Sequence, residues 1–232
     1  MNRIHTKATV VAMLAVLLAL LPAAHAEVVD RIVATVNGHI ILQSDWDEAL
    51  CYEALLNGRT LGEFNDEERR TVLDRLIDQE LLGEQMKSAF FQHASETEAA
   101  ARIAEAKKHY PEGANAAGWQ AVLNRFRLTE KDVVAHVQQQ IDLMRLVDAH
   151  LRPTVQIDNK TIEAYYREKF VPQLKPGTGE VALADVSGKI RELLTQEKVS
   201  ELLVSWLQSL RSESKVSVPG VPNSVAEGEQ TQ

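Results

Sequence analysis

Cysteine, basic charge and aromatic side chains are all scarce in this chain of 232 residues. Cys51 is the only cysteine, so no internal disulfide can form and the core alone must stabilise the fold. Because Cys51 lies within a helical apolar pattern, we expect a buried thiol rather than a reactive one. The formal net charge is −8 and there is no basic tract, which argues against nucleic-acid binding.

The sequence also lacks the common motifs of catalytic and metal sites. The histidines that follow residue 26 are His39, His93, His109, His136 and His150. None of them forms an H-x-x-x-H pair or lies beside a cysteine pair. No G-x-S-x-G motif, phosphate-binding glycine loop or Rossmann fingerprint occurs. Neighbouring carboxylates such as Asp45 and Asp47 are typical of solvated faces and helix caps. The sequence therefore predicts no catalytic residue, no metal site and no cofactor.

Long apolar runs are missing except at residues 8–21, and this run has the features of a secretory signal peptide. It follows a basic start and is too short for a comfortable membrane span. Pro22 ends it, and Ala24-His25-Ala26 forms an A-x-A cleavage site. We therefore expect residues 1–26 to be a signal peptide, whose removal leaves no stable membrane span. An uncleaved anchor helix is the alternative.

Residues 28–50 carry the clearest local pattern, a β-hairpin that leads directly into a helix. In an extended chain Val29, Arg31, Val33 and Thr35 share one face, and Ile32, Ala34 and Val36 share the other. Asn37-Gly38 then ends the run, and this dipeptide tolerates positive φ and favours a tight hairpin turn. The apolar residues that follow predict the return strand. Ser44 is the predicted N-cap of the helix, with Asp47 three residues on. An isolated hairpin is marginal in water and must pack on other elements.

Helices are predicted over most of the remaining chain. Capping boxes begin at Asn65, Ser95 and Thr129. Apolar residues at helical spacing and the helix-ending residues predict helices at 44–56, 65–88, 95–110, 119–126, 129–151, 158–170 and 185–212. Leu76, Ile77, Trp119 and Trp206 are predicted core residues. Proline and glycine make residues 171–184 a flexible connector, and the composition of residues 219–232 predicts a disordered tail.

A short C-terminal strand is predicted at residues 215–218, where Val216 and Val218 alternate with polar residues. The hairpin has unpaired edges, which need covering, and three strands are more stable than two. We therefore expect this strand to pair with the hairpin. The predicted fold is mainly α, with a small N-terminal β-hairpin joined by a short C-terminal strand.

Three segments resemble SurA-type periplasmic chaperones. VVDRIVATVNGHIILQSD, at residues 28–45, resembles the family's opening hairpin and helix start. LDRLIDQELLGEQ, at residues 73–85, is similar to its second helix, and residues 128–170 are similar to its helix leading into a parvulin prolyl isomerase. A parvulin domain needs about 90 to 100 residues. Residues 171–184 are too few for one. Residues 185–218 resemble the family's C-terminal helix and strand.

The resemblance implies that residues 27–218 form the chaperone module of this family without its isomerase domain. Such a protein would be a periplasmic holdase, not an enzyme, and would bind unfolded exported or outer-membrane proteins in an apolar groove between helices. The alternatives are a structural or adaptor subunit with one fixed partner, and a degenerate isomerase. The candidate peptide-binding residues are Met144, Tyr165, Tyr166 and Phe170. Core packing is the alternative interpretation of all four.

Overall fold

A computed structural model describes residues 30–87, 91–174 and 181–219. The predicted signal peptide, part of the predicted connector and residues 220–232 of the predicted tail lie outside these residues. The helices are α1 Gln43–Asn57, α2 Asp66–Gln85, α3 Glu96–Lys107, α4 Ala116–Arg125, α5 Glu130–Leu151, α6 Asn159–Tyr165 and α7 Leu183–Glu213. The strands are β1 Ile32–Val36, β2 His39–Leu42 and β3 Val216–Ser217. This arrangement confirms the mainly α fold.

One antiparallel sheet holds the three strands in the order β2-β1-β3. Asn37 and Gly38 form the turn of the hairpin with φ values of 50° and 90°, as the Asn-Gly signal predicts. Val216 pairs with Val36, and Ser217 pairs with Thr35. The last described strand therefore covers one edge of the first, which confirms the predicted pairing.

A β-bulge changes the faces of β1 from those that simple alternation predicts. The register with β2 shifts between Ile32 and Ala34. As a result Val33 and Ala34 are both buried, although neighbouring residues of a regular strand point to opposite faces. Ile32 is left exposed. The alternating pattern did not show the bulge because both residues that it buries are apolar.

Four helix starts follow their predicted capping residues, whereas α1, α4 and α7 each begin before the predicted start. The predicted N-cap at Ser44 is wrong: α1 begins at Gln43, because the Asp45 carboxylate accepts a hydrogen bond from the Leu42 N–H at 2.8 Å. The capping box of α2 is confirmed, since Asn65 and Glu68 exchange hydrogen bonds of 2.9 Å. α7 begins at Leu183, two residues before the predicted start.

In the part of the chain that the structure describes, two apolar clusters make up the core. The larger cluster lies among α1, α3, α4 and α5, and the smaller one lies between the sheet and α2. Ile77 is 1% exposed and Trp119 is 3% exposed, which confirms both as core residues. Leu76 is only half-buried, because it lies at the junction where both clusters contact it. The prediction that Leu76 is a core residue is therefore only partly right.

Two further core predictions have different outcomes. Trp206 is half-buried and not a core residue, because it lies on α7 and stacks on the His150 ring of α5 at 4.2 Å between centroids. Cys51 is buried, as predicted. Burial also raises the pKa of the Cys51 thiol, so the unreactive thiol form is favoured at neutral pH.

Candidate functional site

An apolar cleft lies between α1, α3 and α5 and encloses about 130 Å³. Its floor consists of buried side chains from all three helices and from α4. They include Leu55, Ile103, Trp119, Val133 and Val137. Each comes from an apolar helical stripe that faces the larger core cluster. The cleft is therefore a place where this cluster reaches the surface. We call it the α1–α3–α5 cleft.

Two large apolar side chains at the rim of the α1–α3–α5 cleft are exposed to solvent. Leu56 of α1 is 47% exposed and Met144 of α5 is 50% exposed. Arg102 of α3 supplies the positive charge that lines the cleft, and Gln140 of α5 supplies an amide. Apolar side chains surrounded by a few polar groups are typical of surfaces that bind another molecule.

Tyr52 forms part of the wall of the α1–α3–α5 cleft and is almost fully buried. Its hydroxyl lies 3.2 Å from Gln140 Oε1 and donates a hydrogen bond to it. Burial raises the pKa of Tyr52 to about 12, so the phenol stays neutral under ordinary conditions. On its other side, Tyr52 borders a second, smaller cavity of about 30 Å³ that His136 and Arg75 also line.

Three polar residues of α5 hold the chain just before α3. Gln138, Asp142 and Arg145 share one face of α5. Asp142 Oδ1 accepts from the Ala94 N–H at 2.6 Å, and Gln138 donates to the Ala94 carbonyl at 2.9 Å. Arg145 donates to the Gln92 carbonyl at 3.2 Å and pairs with Glu98. We call residues 92–95 the α3 strap, because these bonds position α3 against the cleft.

Charged groups of the described residues form no cluster that could hold a metal ion. Among the helices in the same ranges, none is both long and apolar enough to cross a membrane. Asp142 is the buried charged residue among the described residues. Its carboxylate is hydrogen-bonded to the Ala94 N–H and to the His93 ring. The α1–α3–α5 cleft is lined mainly by apolar side chains.

Comparison with known proteins identifies the family. The model of the SurA-like N-terminal domain matches residues 1–147, which include the hairpin, α1 to α4 and most of α5. The chain belongs to the SurA-like N-terminal domain family. Membership supports a chaperone role in general terms, and the matched residues contain every residue that lines the α1–α3–α5 cleft.

Twelve chains of solved structures match this chain, among them one structure that is similar over most of its length. The structure comes from work on the virulence factor PEB4 and the periplasmic protein Cj1289, two SurA-like chaperones of Campylobacter jejuni. It is 11% identical, with a TM-score of 0.47, and the match covers 82% of this chain and 99% of that one. The search of curated proteins finds none that matches.

The four predicted peptide-binding residues of this SurA-like protein fall in two places. Met144 lines the α1–α3–α5 cleft, whereas Tyr165, Tyr166 and Phe170 do not line it. Tyr166 donates from its hydroxyl to the Val181 carbonyl at 2.5 Å and stacks on Phe170 at 5.8 Å between centroids. These two aromatic residues therefore lie together near the start of α7, in the π-helical turn Tyr166–Phe170 that follows α6.

Sequence reasoning missed most of the cleft. Leu56 and Trp119 both line it. Each lies in an apolar helical stripe, and the same pattern is found for residues that are simply part of the core. A stripe shows which face of a helix is apolar, but it does not show where the partner helices leave a gap. The α3 strap was missed for a related reason, because its polar partners lie more than 40 residues away along the chain.

Proposed function

We propose that this SurA-like protein is a periplasmic chaperone that holds unfolded exported or outer-membrane proteins in the α1–α3–α5 cleft. The observation that carries the proposal is the cleft itself, an apolar cavity with Leu56 and Met144 exposed at its rim. A cavity of about 150 Å³ in another protein is large enough for one benzene ring. The cleft, at about 130 Å³, therefore has room for one client side chain at a time.

An extended client suits this geometry better than a folded one. A flexible chain can insert a single apolar side chain while its backbone groups stay hydrogen-bonded to water. Met144 adds adaptability, because an unbranched thioether side chain can adjust to clients of different shape. The client loses conformational entropy on binding, so we expect weak and reversible affinity. That property is suited to holding a protein before it folds.

Tyr165, Tyr166 and Phe170 form a second proposed contact for the client. All three side chains are half-buried, so part of each ring remains available. Val171, the next residue, is 41% exposed and extends the apolar surface. A client longer than a few residues could contact both this surface and the cleft.

The proposed chaperone has no isomerase activity. The segment between Gln173 and Leu183 is far shorter than the roughly 90 to 100 residues of a parvulin domain. The proposed periplasmic location depends on residues 1–26 acting as a cleaved signal peptide. A protease-coupled assay with a proline-containing peptide tests the first point, and turnover that copurifies with the chain would contradict it. N-terminal sequencing of the exported protein tests the second.

The decisive experiment measures suppression of aggregation. Residues 27–232 are mixed with several unrelated unfolded proteins, and light scattering is followed as they aggregate. We expect the parent protein to slow aggregation of each client. Leu56→Glu and Met144→Glu place a charge at the apolar rim and should greatly reduce this protection. Val204→Glu is the matched control, because Val204 is 57% exposed on α7 and does not line the cleft.

Each other outcome has a definite meaning. Protection of a single partner would replace the holdase by an adaptor subunit. Equal loss of protection in all three variants would show that the cleft has no special role. If instead the second proposed contact, Tyr165, Tyr166 and Phe170, holds the client, Tyr165→Glu should reduce protection while Met144→Glu does not. Circular dichroism and thermal melting of every variant separate lost binding from lost folding.

A further inference from the structure

His136 of α5 contacts Tyr52 of α1, which forms part of the wall of the α1–α3–α5 cleft. It lies on α5, and its side chain is only 17% exposed. Its imidazole stacks on the Tyr52 ring of α1, with 4.4 Å between centroids and 16° between planes. Tyr52 lines the cleft on one side and the small cavity beside His136 on the other. Only the Tyr52 ring therefore separates the His136 imidazole from the cleft.

Several charged groups face His136 from the surrounding helices. Glu48 of α1 lies nearest, with Oε1 3.0 Å from Nε2, but its direction leaves this buried nitrogen without a well-formed hydrogen bond. Asp132 of its own helix adds a second negative charge. Glu53 of α1 and Arg75 of α2 line the same region, and they form an ion pair of 2.5 Å that leaves little net charge.

Burial decides the protonation state of His136. Removal of the imidazole from water lowers its pKa from the ordinary value, and the attraction of Glu48 and Asp132 opposes this without overcoming it. The packed state therefore holds a neutral ring at neutral pH. In the unfolded chain the same group takes up its proton near pH 6.5. The stability contributed by the neutral stack is thus complete above about pH 6.5 and is lost as the pH falls below it.

We propose that the stacked His136–Tyr52 pair is an acid-sensitive joint, and that protonation of His136 separates α1 from α5 and widens the α1–α3–α5 cleft. Separation brings water to the imidazolium, whose side chain is only 17% exposed in the packed state. Tyr52 then loses its stacking partner and its fixed position in the cleft wall. The value of this joint to the cell rests on the proposed client cleft, but the movement itself is independent of any client.

The experiment measures the width of the cleft without a client. Leu56→Cys and Met144→Cys, in a Cys51→Ala background, place spin labels on opposite sides of the rim. Double electron–electron resonance then gives the distance distribution at pH 7.5 and pH 5.0. We expect a population at longer distance in acid. His136→Phe keeps a ring against Tyr52 but never charges, so it should abolish this population. His109→Gln alters an exposed histidine that lies outside the cleft lining and the α3 strap, and it should leave the response intact.

The outcomes distinguish the joint from other effects of acid. An unchanged distance in the parent protein at pH 5.0 would overturn the proposal. So would the same response in His136→Phe and in a second uncharged variant, His136→Gln, which guards against poor folding of either one. Circular dichroism at both pH values must show intact helices. Because no client is present, a failed aggregation assay leaves this test unaffected, and a failed distance test leaves the client cleft unaffected.

Discussion

Asn37 performs two tasks at one position of the chain. Its φ of 50° lies in the left-handed region, which asparagine and glycine tolerate better than other residues. Its side chain joins the two ends of the described fold: Oδ1 accepts from the Lys215 N–H at 2.8 Å, and Nδ2 donates to Glu84 Oε2 at 2.7 Å. The Asn37 N–H also donates to the Lys215 carbonyl at 3.0 Å. One turn residue therefore connects the hairpin, α2 and the chain that enters β3.

Substitution of Asn37 separates these two tasks. Asn37→Gly keeps the left-handed turn and loses the side-chain bonds, so we expect a loss of about 1 to 2 kcal/mol in unfolding free energy. Asn37→Ala loses the same bonds and must also hold a Cβ in the left-handed region, which adds about 1 to 2 kcal/mol. Urea unfolding should therefore rank the parent above the glycine variant and the glycine variant above the alanine variant. A glycine variant as stable as the parent would show that the side-chain bonds contribute nothing.

At the scale of elements, the α3 strap shows how one helix positions another. Gln138, Asp142 and Arg145 lie at positions i, i+4 and i+7 of α5, so they form one polar row along the helix. Their partners are backbone groups of residues 92–94, which have no helix or strand to pair with. The row satisfies these groups and sets the point where α3 begins. α3 in turn supplies one wall of the α1–α3–α5 cleft.

Removal of the Asp142 carboxylate should loosen the strap and α3 together. Asp142→Ala leaves the Ala94 N–H without its acceptor in a buried place, and hydrogen bonds to charged groups contribute about 1.5 to 3 kcal/mol. We expect a loss of that size in urea unfolding, with faster amide exchange at Ala94 and along α3. Asp148→Ala is the control, because the Asp148 side chain is 44% exposed and makes a 3.5 Å ion pair with Arg152. Equal losses in the two variants would contradict the role of the strap.

The whole molecule shows why some features were predictable and others were not. Helix starts depend on residues three apart, so Asn65, Ser95 and Thr129 located α2, α3 and α5 correctly. The pairing of β3 was predictable because an open strand edge demands a partner and Val216 alternates with polar residues. The cleft was not, since its existence depends on the spacing between helices. The bulge in β1 was hidden because Val33 and Ala34 are both apolar.

The pairing of β3 with β1 predicts how shortening the C-terminus changes stability. Val216 pairs with Val36, and both Val216 and Val218 pack against the apolar cluster beneath the sheet. Arg211 ties the end of α7 to α2 through Asp78 at 2.6 Å. A chain that ends at Lys215 keeps this ion pair but loses the third strand and two half-buried valines. Full burial of one valine is worth about 1.5 kcal/mol or more, so we expect a loss of roughly 2 to 4 kcal/mol once the ladder hydrogen bonds are included.

A second truncation provides the control for this loss. A chain that ends at Val218 keeps β3 and removes only the residues predicted to be a disordered tail. We expect its urea midpoint to match that of residues 27–232, whereas the chain that ends at Lys215 should unfold at a clearly lower concentration. Because the sheet packs on α2, the shorter chain should lose α2 and hairpin protection together in amide exchange. If both truncated chains unfold like the longer one, β3 contributes little and the hairpin and α2 hold the sheet without it.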